Sequence, residues 1–360
     1  MSTKRLVAII SWLVVYATLI LMVSKPAGAA DWLYTQDNRI YRDGSIWVGR
    51  GANIHDTRSC NACTWWPPNV QEVKRRIDEL VDVWGANFIR LVLESYSSPG
   101  GRIHWQTFVV DTQYLNDIKE IVAYIGTKPN TYVLLSLWID PSFSDQGLPT
   151  VDTITAWEVL ASQFTNDPHV LFGIVNEPQR NYSGDDNLRR WEAFNNTVAA
   201  IRAVEAMKGD KPHIIAVQGL GGWSRFLDYY IEHSITAGNG KNIAYEVHVY
   251  DNQDLFNDRF VIPSQTLPVI IGEFGPADGY MNIEDCKELM DQADQLKLPY
   301  LAWTFHMRCS PNLLVDNSGG GCGTGMELQP TDWGQLLKTR LLSHQNQKRN
   351  IVPIYQLLME

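Results

Sequence analysis

Two short stretches of the sequence each place one glutamate at the end of an apolar run. Residues 172–178 open with aromatic and β-branched residues, which predicts a buried strand. Because Pro178 cannot donate to a sheet ladder and disfavours helix in the residue before it, the strand ends there with Glu177 at its tip. Residues 269–275 repeat this pattern around Glu273. Two carboxyls at the ends of two buried strands are what acid-assisted cleavage of a glycosidic bond requires.

The rest of the chain predicts alternating strands and helices that could hold these carboxyls together. The predicted strands cover residues 47–53, 87–93, 132–138, 170–176, 213–218, 243–248, 269–273 and 300–305. A short N-terminal hairpin over residues 33–47 precedes them. Their number and order predict an α/β fold, a (β/α)8 TIM barrel. An open doubly wound sheet is the alternative, but the first strand lacks the glycine-rich phosphate turn of that fold.

Residues 1–30 have the features of a signal peptide. A basic start at Lys4 is followed by an apolar run over residues 6–23 and a small-residue cleavage site at residues 27–29. The apolar run is long enough to cross a bilayer, so an uncleaved signal-anchor is the alternative. We expect cleavage, which leaves residues 31–360 as a single catalytic domain, secreted to an extracellular or periplasmic space.

The chain is acidic, with 30 basic and 40 acidic residues among its 360 and a formal net charge of −10. Signal cleavage removes three of the basic residues and changes the net charge to −13. This charge does not suit nucleic acid or an anionic membrane, and it does suit an uncharged polysaccharide. Residues 316–321 lack the full ligand spacing of a calcium loop, so we expect no metal. We also expect no cofactor and a monomeric protein.

Five cysteines bear on the compartment. Cys286 falls on an amphipathic pattern and is expected to be a buried thiol. In an exported protein the other four are expected to form disulfides, and a structural zinc site is the alternative. Local spacing suggests Cys60 with Cys63 and Cys309 with Cys322, although the sequence does not determine the connectivity.

Further polar and aromatic residues fall at or near the C-terminal ends of the predicted strands, which is the rim where a TIM barrel builds its active site. They are His55, Arg90, Trp138, Asn176, His248, Tyr250 and Trp303. Arg90 stands inside an apolar run. Because a buried arginine is costly unless it is paired, its position predicts a carboxylate partner inside the barrel.

These motifs, taken in order, resemble glycoside hydrolase family 5, which belongs to a clan of retaining (β/α)8 glycosidases. The resemblance covers most of the mature chain. The motifs that carry it are residues 85–90, 174–178, 248–250 and 271–275 together with Trp303. Any one of them is a weak signal, whereas the ordered set at these strand intervals is specific.

The resemblance implies a role for each catalytic residue. Glu177 would be the general acid and then the general base, and Glu273 would be the nucleophile that forms the glycosyl-enzyme. Arg90 and Tyr250 would hydrogen-bond Glu273 and keep it ionised. His248 would support Glu177.

The resemblance also implies substrate contacts. Asn176 would bind the 2-hydroxyl in the −1 subsite, Trp303 would be the sugar platform, and His55 would lie on the same rim. The family usually carries a histidine at the end of strand three, where this chain has Trp138. That departure leaves the exact sugar open.

The sequence therefore predicts a secreted retaining endo-β-1,4-glucanase. A β-1,4-mannanase, or an enzyme for xyloglucan or mixed-linkage glucan, is the alternative within the class, and transglycosylation is not distinguished from hydrolysis. A non-catalytic carbohydrate-binding protein is the alternative from another class, although both carboxyls are intact. Loop tryptophans such as Trp223 could line subsites or simply pack on the surface.

Overall fold

The computed structural model describes residues 30–55, 67–93, 96–98, 101–102, 112–138, 148–178, 185–209 and 211–357. Nearly all of the predicted signal peptide lies outside these residues, as does the predicted Cys60–Cys63 pair. No helix in the described part of the chain is both long enough and apolar enough to cross a membrane.

The strands in chain order are β1 (Leu33–Gln36), β2 (Arg39–Arg42), β3 (Ser45–Ile46), β4 (Arg50–His55), β5 (Phe88–Leu93), β6 (Tyr96–Ser98), β7 (Gly101–Arg102), β8 (Tyr132–Leu137), β9 (Val170–Gly173), β10 (Ile215–Gln218), β11 (Ile243–Val249), β12 (Val269–Phe274) and β13 (Tyr300–Ala302). The α-helices are α1 (Val70–Asp78), α2 (Thr112–Gly126), α3 (Val151–Phe164), α4 (Asp185–Lys208), α5 (Asp228–Glu232), α6 (Ile283–Leu296) and α7 (Asp332–Leu357). Short 3-10 and π turns cover Glu79–Val83, Gly222–Ser224, Ala237–Gly240, Gln253–Leu255, Asn257–Val261 and Pro263–Gln265.

Eight parallel strands close into a barrel in the order β4, β5, β8, β9, β10, β11, β12 and β13, which confirms the predicted (β/α)8 fold. The predicted hairpin is present and gains a third strand, since β1, β2 and β3 form one antiparallel sheet. Leu33, Ile40 and Trp47 of this segment pack against apolar side chains inside the barrel, such as Phe88 and Leu134. The N-terminal sheet therefore shares the core that fills the lower part of the barrel.

Successive side chains on a barrel strand point alternately inward and outward, so inward-facing residues from different strands form layers. Above the apolar layer lies a layer of buried polar residues. We call it the polar layer, and it consists of Asn53, Arg90, Ser136, Gln218 and Glu246. It forms the floor beneath the residues at the strand ends.

A bulge in β12 turns Glu273 toward the inside of the barrel. Ile270 faces inward and Ile271 outward, and the pairing of β11 with β12 then shifts by one residue, so that His248 pairs with Glu273. The extra residue is Gly272. A Cβ atom on Gly272 would lie 2.1 Å from Glu246 Oε1, so the bulge requires glycine here.

The structure corrects one disulfide prediction. Cys286 is a buried thiol on α6, as predicted. Cys309 is also a buried thiol, so the predicted Cys309–Cys322 pair is wrong. The reason is the course of the loop after β13, because Cys309 packs against Trp303 in the barrel mouth whereas the Cys322 carbonyl accepts a hydrogen bond from Arg76 on α1.

Candidate active site

Two carboxyls meet at the mouth of the barrel. Glu273 lies near the end of β12, and Glu177 lies four residues beyond β9. One carboxylate oxygen of each, together with a ring nitrogen of His248, lie within 4.8 Å of one another. The two stretches that the sequence singled out therefore present their acids to the same point in space.

Glu273 is the carboxyl with the more numerous donors. Arg90 Nη1 lies 2.8 Å from Glu273 Oε1, and Tyr250 Oη donates to Oε2 at 3.0 Å. His248 Nδ1 lies 3.5 Å from the same Oε2. The side chain is 5% exposed, so these donors take the place of water around the carboxylate.

Glu177 is more open and has fewer donors. Its side chain is 15% exposed, and its donor among the described residues is His248, whose Nδ1 lies 2.7 Å from Oε1. The backbone of Glu177 has φ +43°, a left-handed conformation that costs a residue with a Cβ about 1–2 kcal/mol. Its N–H donates to Gln218 Oε1 at 3.4 Å, which helps to hold this turn.

Arg90 connects the polar layer to the site. Its guanidinium is fully buried and contacts Glu246 through Nε at 2.8 Å and Glu273 through Nη1 at 2.8 Å. Arg90 therefore has two carboxylate partners, Glu246 and Glu273, where the sequence predicted one. Nη2 donates to Asn176 Oδ1 at 2.6 Å and to Ser136 Oγ at 3.0 Å. These contacts fix Asn176, Glu246 and Glu273 around one rigid cation.

His248 lies between three carboxyls. Besides Glu177 and Glu273 on its Nδ1 side, Glu246 Oε1 lies 3.1 Å from its Nε2. Although burial acts to lower it, the charge of Glu273 and the hydrogen bonds with Glu177 and Glu246 raise the pKa of His248 to about 9. His248 is therefore an imidazolium at neutral pH and donates from both ring nitrogens.

The two catalytic candidates titrate as a pair, because carboxyls this close lose their protons in two steps. Burial raises the pKa of Glu273 to about 7, and the negative charge of Glu177 acts in the same direction, while His248, Arg90 and Tyr250 oppose it. One proton therefore stays on the pair up to near neutral pH. The two carboxyls differ in their donors, because Arg90 and Tyr250 both donate to Glu273 and neither donates to Glu177.

A charge count supports one proton on the carboxyl pair. The site contains three carboxyls, Glu177, Glu246 and Glu273, and two cations, Arg90 and His248. With one proton shared by Glu177 and Glu273, two negative charges face two positive charges, and the buried cluster is neutral. An additional buried charge would be costly in this environment.

An aromatic wall stands beside the carboxyls. Trp303 packs edge-on against His55, with ring centroids 5.8 Å apart, and lies 6.4 Å from the ring of Trp138. Tyr250 and Trp138 pack against the cluster that contains Trp303 and Cys309. The peptide bond between Trp303 and Thr304 is cis. This wall offers apolar faces next to the reacting groups, as a sugar-binding cleft requires.

All nine site residues predicted from the sequence lie at this end of the barrel, six in the hydrogen-bonded network and three in the aromatic wall. The network residues are Arg90, Asn176, Glu177, His248, Tyr250 and Glu273. The sequence analysis missed Asn53, Ser136 and Glu246 of the polar layer, which contact Arg90 directly. Strand alternation could have found Glu246, because it stands two residues before His248 and so shares its face.

The site contains a possible donor set for a metal ion, namely Glu177, His248 and Glu273. A histidine ligates metal through a neutral ring nitrogen. Both ring nitrogens of His248 face carboxylates, and its raised pKa keeps both protonated near neutrality. The geometry is therefore better suited to proton transfer than to metal binding.

Comparison with known proteins shows which family has this architecture. A sequence model described as cellulase, glycosyl hydrolase family 5, matches residues 49–308. The chain belongs to glycosyl hydrolase family 5. The matched region contains all eight barrel strands and every residue of the network, so this family 5 protein is a glycoside hydrolase.

Solved structures with the same fold include several family 5 enzymes. A cellulase, Cel5C_n, is 21% identical with a TM-score of 0.66, over 89% of this chain and 94% of that one. A β-glucanase from Saccharophagus degradans is 20% identical with a TM-score of 0.64, over 90% and 98%. A mannanase catalytic domain from Streptomyces sp. SirexAA-E is 21% identical with a TM-score of 0.58, over 88% and 91%. The search of curated proteins finds no match.

Proposed function

We propose that this family 5 glycosidase is a secreted, retaining endo-β-1,4-glucanase that acts by double displacement. The observation that carries the proposal is the short gap between Glu177 and Glu273, whose oxygens lie within 4.8 Å. Retaining glycosidases hold their carboxyls about 5–5.5 Å apart, whereas inverting enzymes leave about 6.5–9.5 Å for a water molecule. The short distance between the nearest oxygens therefore favours the retaining spacing.

In the first step, the Glu273 carboxylate attacks the anomeric carbon while Glu177 donates its proton to the departing glycosidic oxygen. The hydrogen bonds of the free site support these roles. Glu273 accepts from two strong donors, Arg90 and Tyr250, and Glu177 is proposed to carry the proton. The C–O bond to the leaving sugar breaks as the ester bond to Glu273 forms.

In the second step, water replaces the leaving group. The first step transferred the proton of Glu177 to the leaving sugar, and the ester bond removed the negative charge of Glu273. The Glu177 carboxylate can therefore accept a proton from water. The hydroxide equivalent attacks the anomeric carbon and releases Glu273. His248 donates to Glu177 at 2.7 Å and holds the carboxyl in place through both steps.

Two neighbouring side chains suit the sugar of the −1 subsite. Asn176 Oδ1 is committed to Arg90, and no acceptor within the described residues takes its Nδ2, which is therefore available to donate to a sugar hydroxyl. Trp303 presents its ring beside the carboxyls. We propose that Asn176 binds the 2-hydroxyl, that Trp303 is the sugar platform, and that His55 and Trp138 complete the wall.

We also propose that residues 31–360 form a single monomeric catalytic domain that is exported after signal cleavage. Support for export comes from the predicted signal peptide at residues 1–30. Preference for β-1,4-glucan over β-1,4-mannan is a further part of the proposal. The structural neighbours include both cellulases and a mannanase, and they share the fold at identities too low to decide between the two sugars.

The test is hydrolysis of soluble β-glucans and β-mannans by wild type, Glu177→Ala and Glu273→Ala, followed by azide rescue on an aryl β-glycoside with a good leaving group. We expect wild type to cleave glucan fastest and both variants to lose polymer hydrolysis. Azide should then yield the β-glycosyl azide with Glu177→Ala and the α-glycosyl azide with Glu273→Ala. The reverse pair of products would exchange the two roles, and a wild type without turnover on any polymer would indicate a binding protein.

A further inference from the structure

We propose that Glu246 is a positioning residue that holds Arg90 and His248 in place as cations and thereby fixes which catalytic carboxyl carries the proton. The proposal rests on the proposed function, because it concerns the protonation of Glu177 and Glu273. Glu246 lies in the polar layer, one layer below the reacting groups, and is fully buried.

The first support is the geometry of one oxygen atom. Glu246 Oε1 lies 2.8 Å from Arg90 Nε and 3.1 Å from His248 Nε2, so a single fully buried carboxylate oxygen bridges both cations. The far end of Arg90 reaches Glu273 at 2.8 Å, and the far end of His248 reaches Glu177 at 2.7 Å. Each catalytic carboxyl is therefore one cation away from Glu246.

The second support is a connection to the backbone that presents Glu177. Gln218 on β10 is the register partner of Glu246 on β11, and the Glu246 carbonyl accepts from Gly219 N at 2.8 Å. Gln218 Oε1 in turn accepts from Glu177 N. The strained left-handed turn at Glu177 thus rests on a residue placed beside Glu246.

The third support is the space reserved for this carboxylate. Gly272 at the bulge leaves the space that Glu246 Oε1 occupies. A Cβ atom on residue 272 would lie 2.1 Å from that oxygen and clash with it. A partner needed merely to neutralise Arg90 already exists in Glu273, and Asn53 and Ser136 accept further hydrogen bonds from the guanidinium. Glu246 therefore does more than satisfy a buried arginine.

The charges that face Glu246 define its effect. Arg90 faces it from β5 and His248 from β11, while Glu273 on β12 and Glu177 lie beyond these two cations. Although burial acts to raise it, the charge of Arg90 and the hydrogen bond from His248 lower the pKa of Glu246, so it is ionised. Its negative charge favours the protonated form of His248.

The test is Glu246→Gln, which keeps the shape and an acceptor oxygen and removes the charge. Without that charge, the carboxyl pair should release its shared proton at lower pH, so the alkaline limb of the kcat/KM profile should move down by about one pH unit. The imidazole of His248, followed by NMR, should also titrate at lower pH. Glu246→Asp, which retains the charge, should leave both readouts near those of wild type.

Glu205→Gln is a matched control. Glu205 is another buried glutamate between an arginine and a histidine, with Arg202 Nη1 at 2.6 Å and His213 Nδ1 at 2.8 Å, and it lies near the opposite end of the barrel. The Glu205→Gln enzyme should lose thermal stability, as the Glu246→Gln enzyme does, but its pH profile should match that of wild type. A Glu246→Gln enzyme that loses stability but keeps the wild-type alkaline limb and His248 titration overturns the proposal.

The NMR readout separates this proposal from the proposed function. If wild type hydrolyses no polysaccharide, the titration of His248 still measures its coupling to Glu246. If the protein is inactive but Glu246→Gln lowers the pKa of His248, the coupling to Glu246 stands and the proposed glycanase function is rejected. If the enzyme is active but Glu246→Gln leaves the pKa of His248 unchanged, the glycanase function stands and the coupling is rejected.

Discussion

Removing the hydroxyl of Tyr250 should shift the acid limb of the pH–rate profile upward. Tyr250 Oη donates to Glu273 Oε2 at 3.0 Å, and burial together with the nearby Glu273 charge raises the pKa of Tyr250 well above its usual range, so the donor stays protonated. Tyr250→Phe retains the ring that packs against the aromatic wall and deletes one hydrogen bond to the nucleophile. The change therefore isolates a single contact.

The size of the shift follows from the strength of that contact. A hydrogen bond to a charged group contributes about 1.5–3 kcal/mol, and one pKa unit corresponds to about 1.4 kcal/mol. Since Glu273 is 5% exposed, little water can replace the lost donor. Loss of a donor to the ionised form raises the pKa of Glu273, so the carboxylate needed for attack forms at higher pH. We expect the acid limb to rise by about one pH unit.

The assay is kcat/KM against pH on an aryl β-cellobioside, for wild type and Tyr250→Phe. Tyr124→Phe is the control, because Tyr124 Oη also donates to a carboxylate, Asp78 Oδ1 at 2.5 Å, on the outside of the barrel. Its profile should match wild type. An unmoved acid limb in Tyr250→Phe, or a shift of the alkaline limb alone, would refute the assignment of Glu273 as the ionised nucleophile.

Two further predictions concern the rim and the bulge. Trp223 is 46% exposed, and its backbone N–H donates to the carbonyl of Pro178 at 3.3 Å, which places the ring near Glu177. Trp223→Ala should therefore raise KM for soluble glucan about tenfold, or about 1.4 kcal/mol, with little change on an aryl cellobioside. An equal loss on both substrates would show that Trp223 does not contact the sugars on the leaving-group side. Gly272→Ala should lower kcat by more than tenfold, because the new Cβ displaces the Glu246 carboxylate; wild-type kcat in a folded Gly272→Ala enzyme would contradict the tight fit at the bulge.

The barrel could be predicted from the sequence because eight apolar runs at regular spacing have few alternative arrangements. Their boundaries were less certain. The first strand was predicted at residues 47–53 but β4 is Arg50–His55, because Trp47 N bonds to Ile40 O in the N-terminal sheet. An apolar run alone does not show which sheet a residue joins.

The residues at the strand ends could be predicted because polar side chains interrupt apolar runs there. Glu246 was missed because its own strand continues past it, so it does not mark a strand end. The bulge at Gly272 could not be seen either, since one extra residue leaves no mark on composition. The reason for Gly272 lies in a carboxylate from the neighbouring strand, which the sequence of β12 does not reveal.

The polar layer explains how two glutamates in nearly the same place can differ in protonation. Their separation alone would only make them share a proton. Arg90 is bound from below by Glu246 and directs its Nη1 to Glu273, whereas His248 directs Nδ1 to Glu177. Because the guanidinium is a permanently charged donor, it favours the ionised form of Glu273. Under the proposed roles, the difference between acid and nucleophile would therefore be set by cations that are held one layer below the reacting groups.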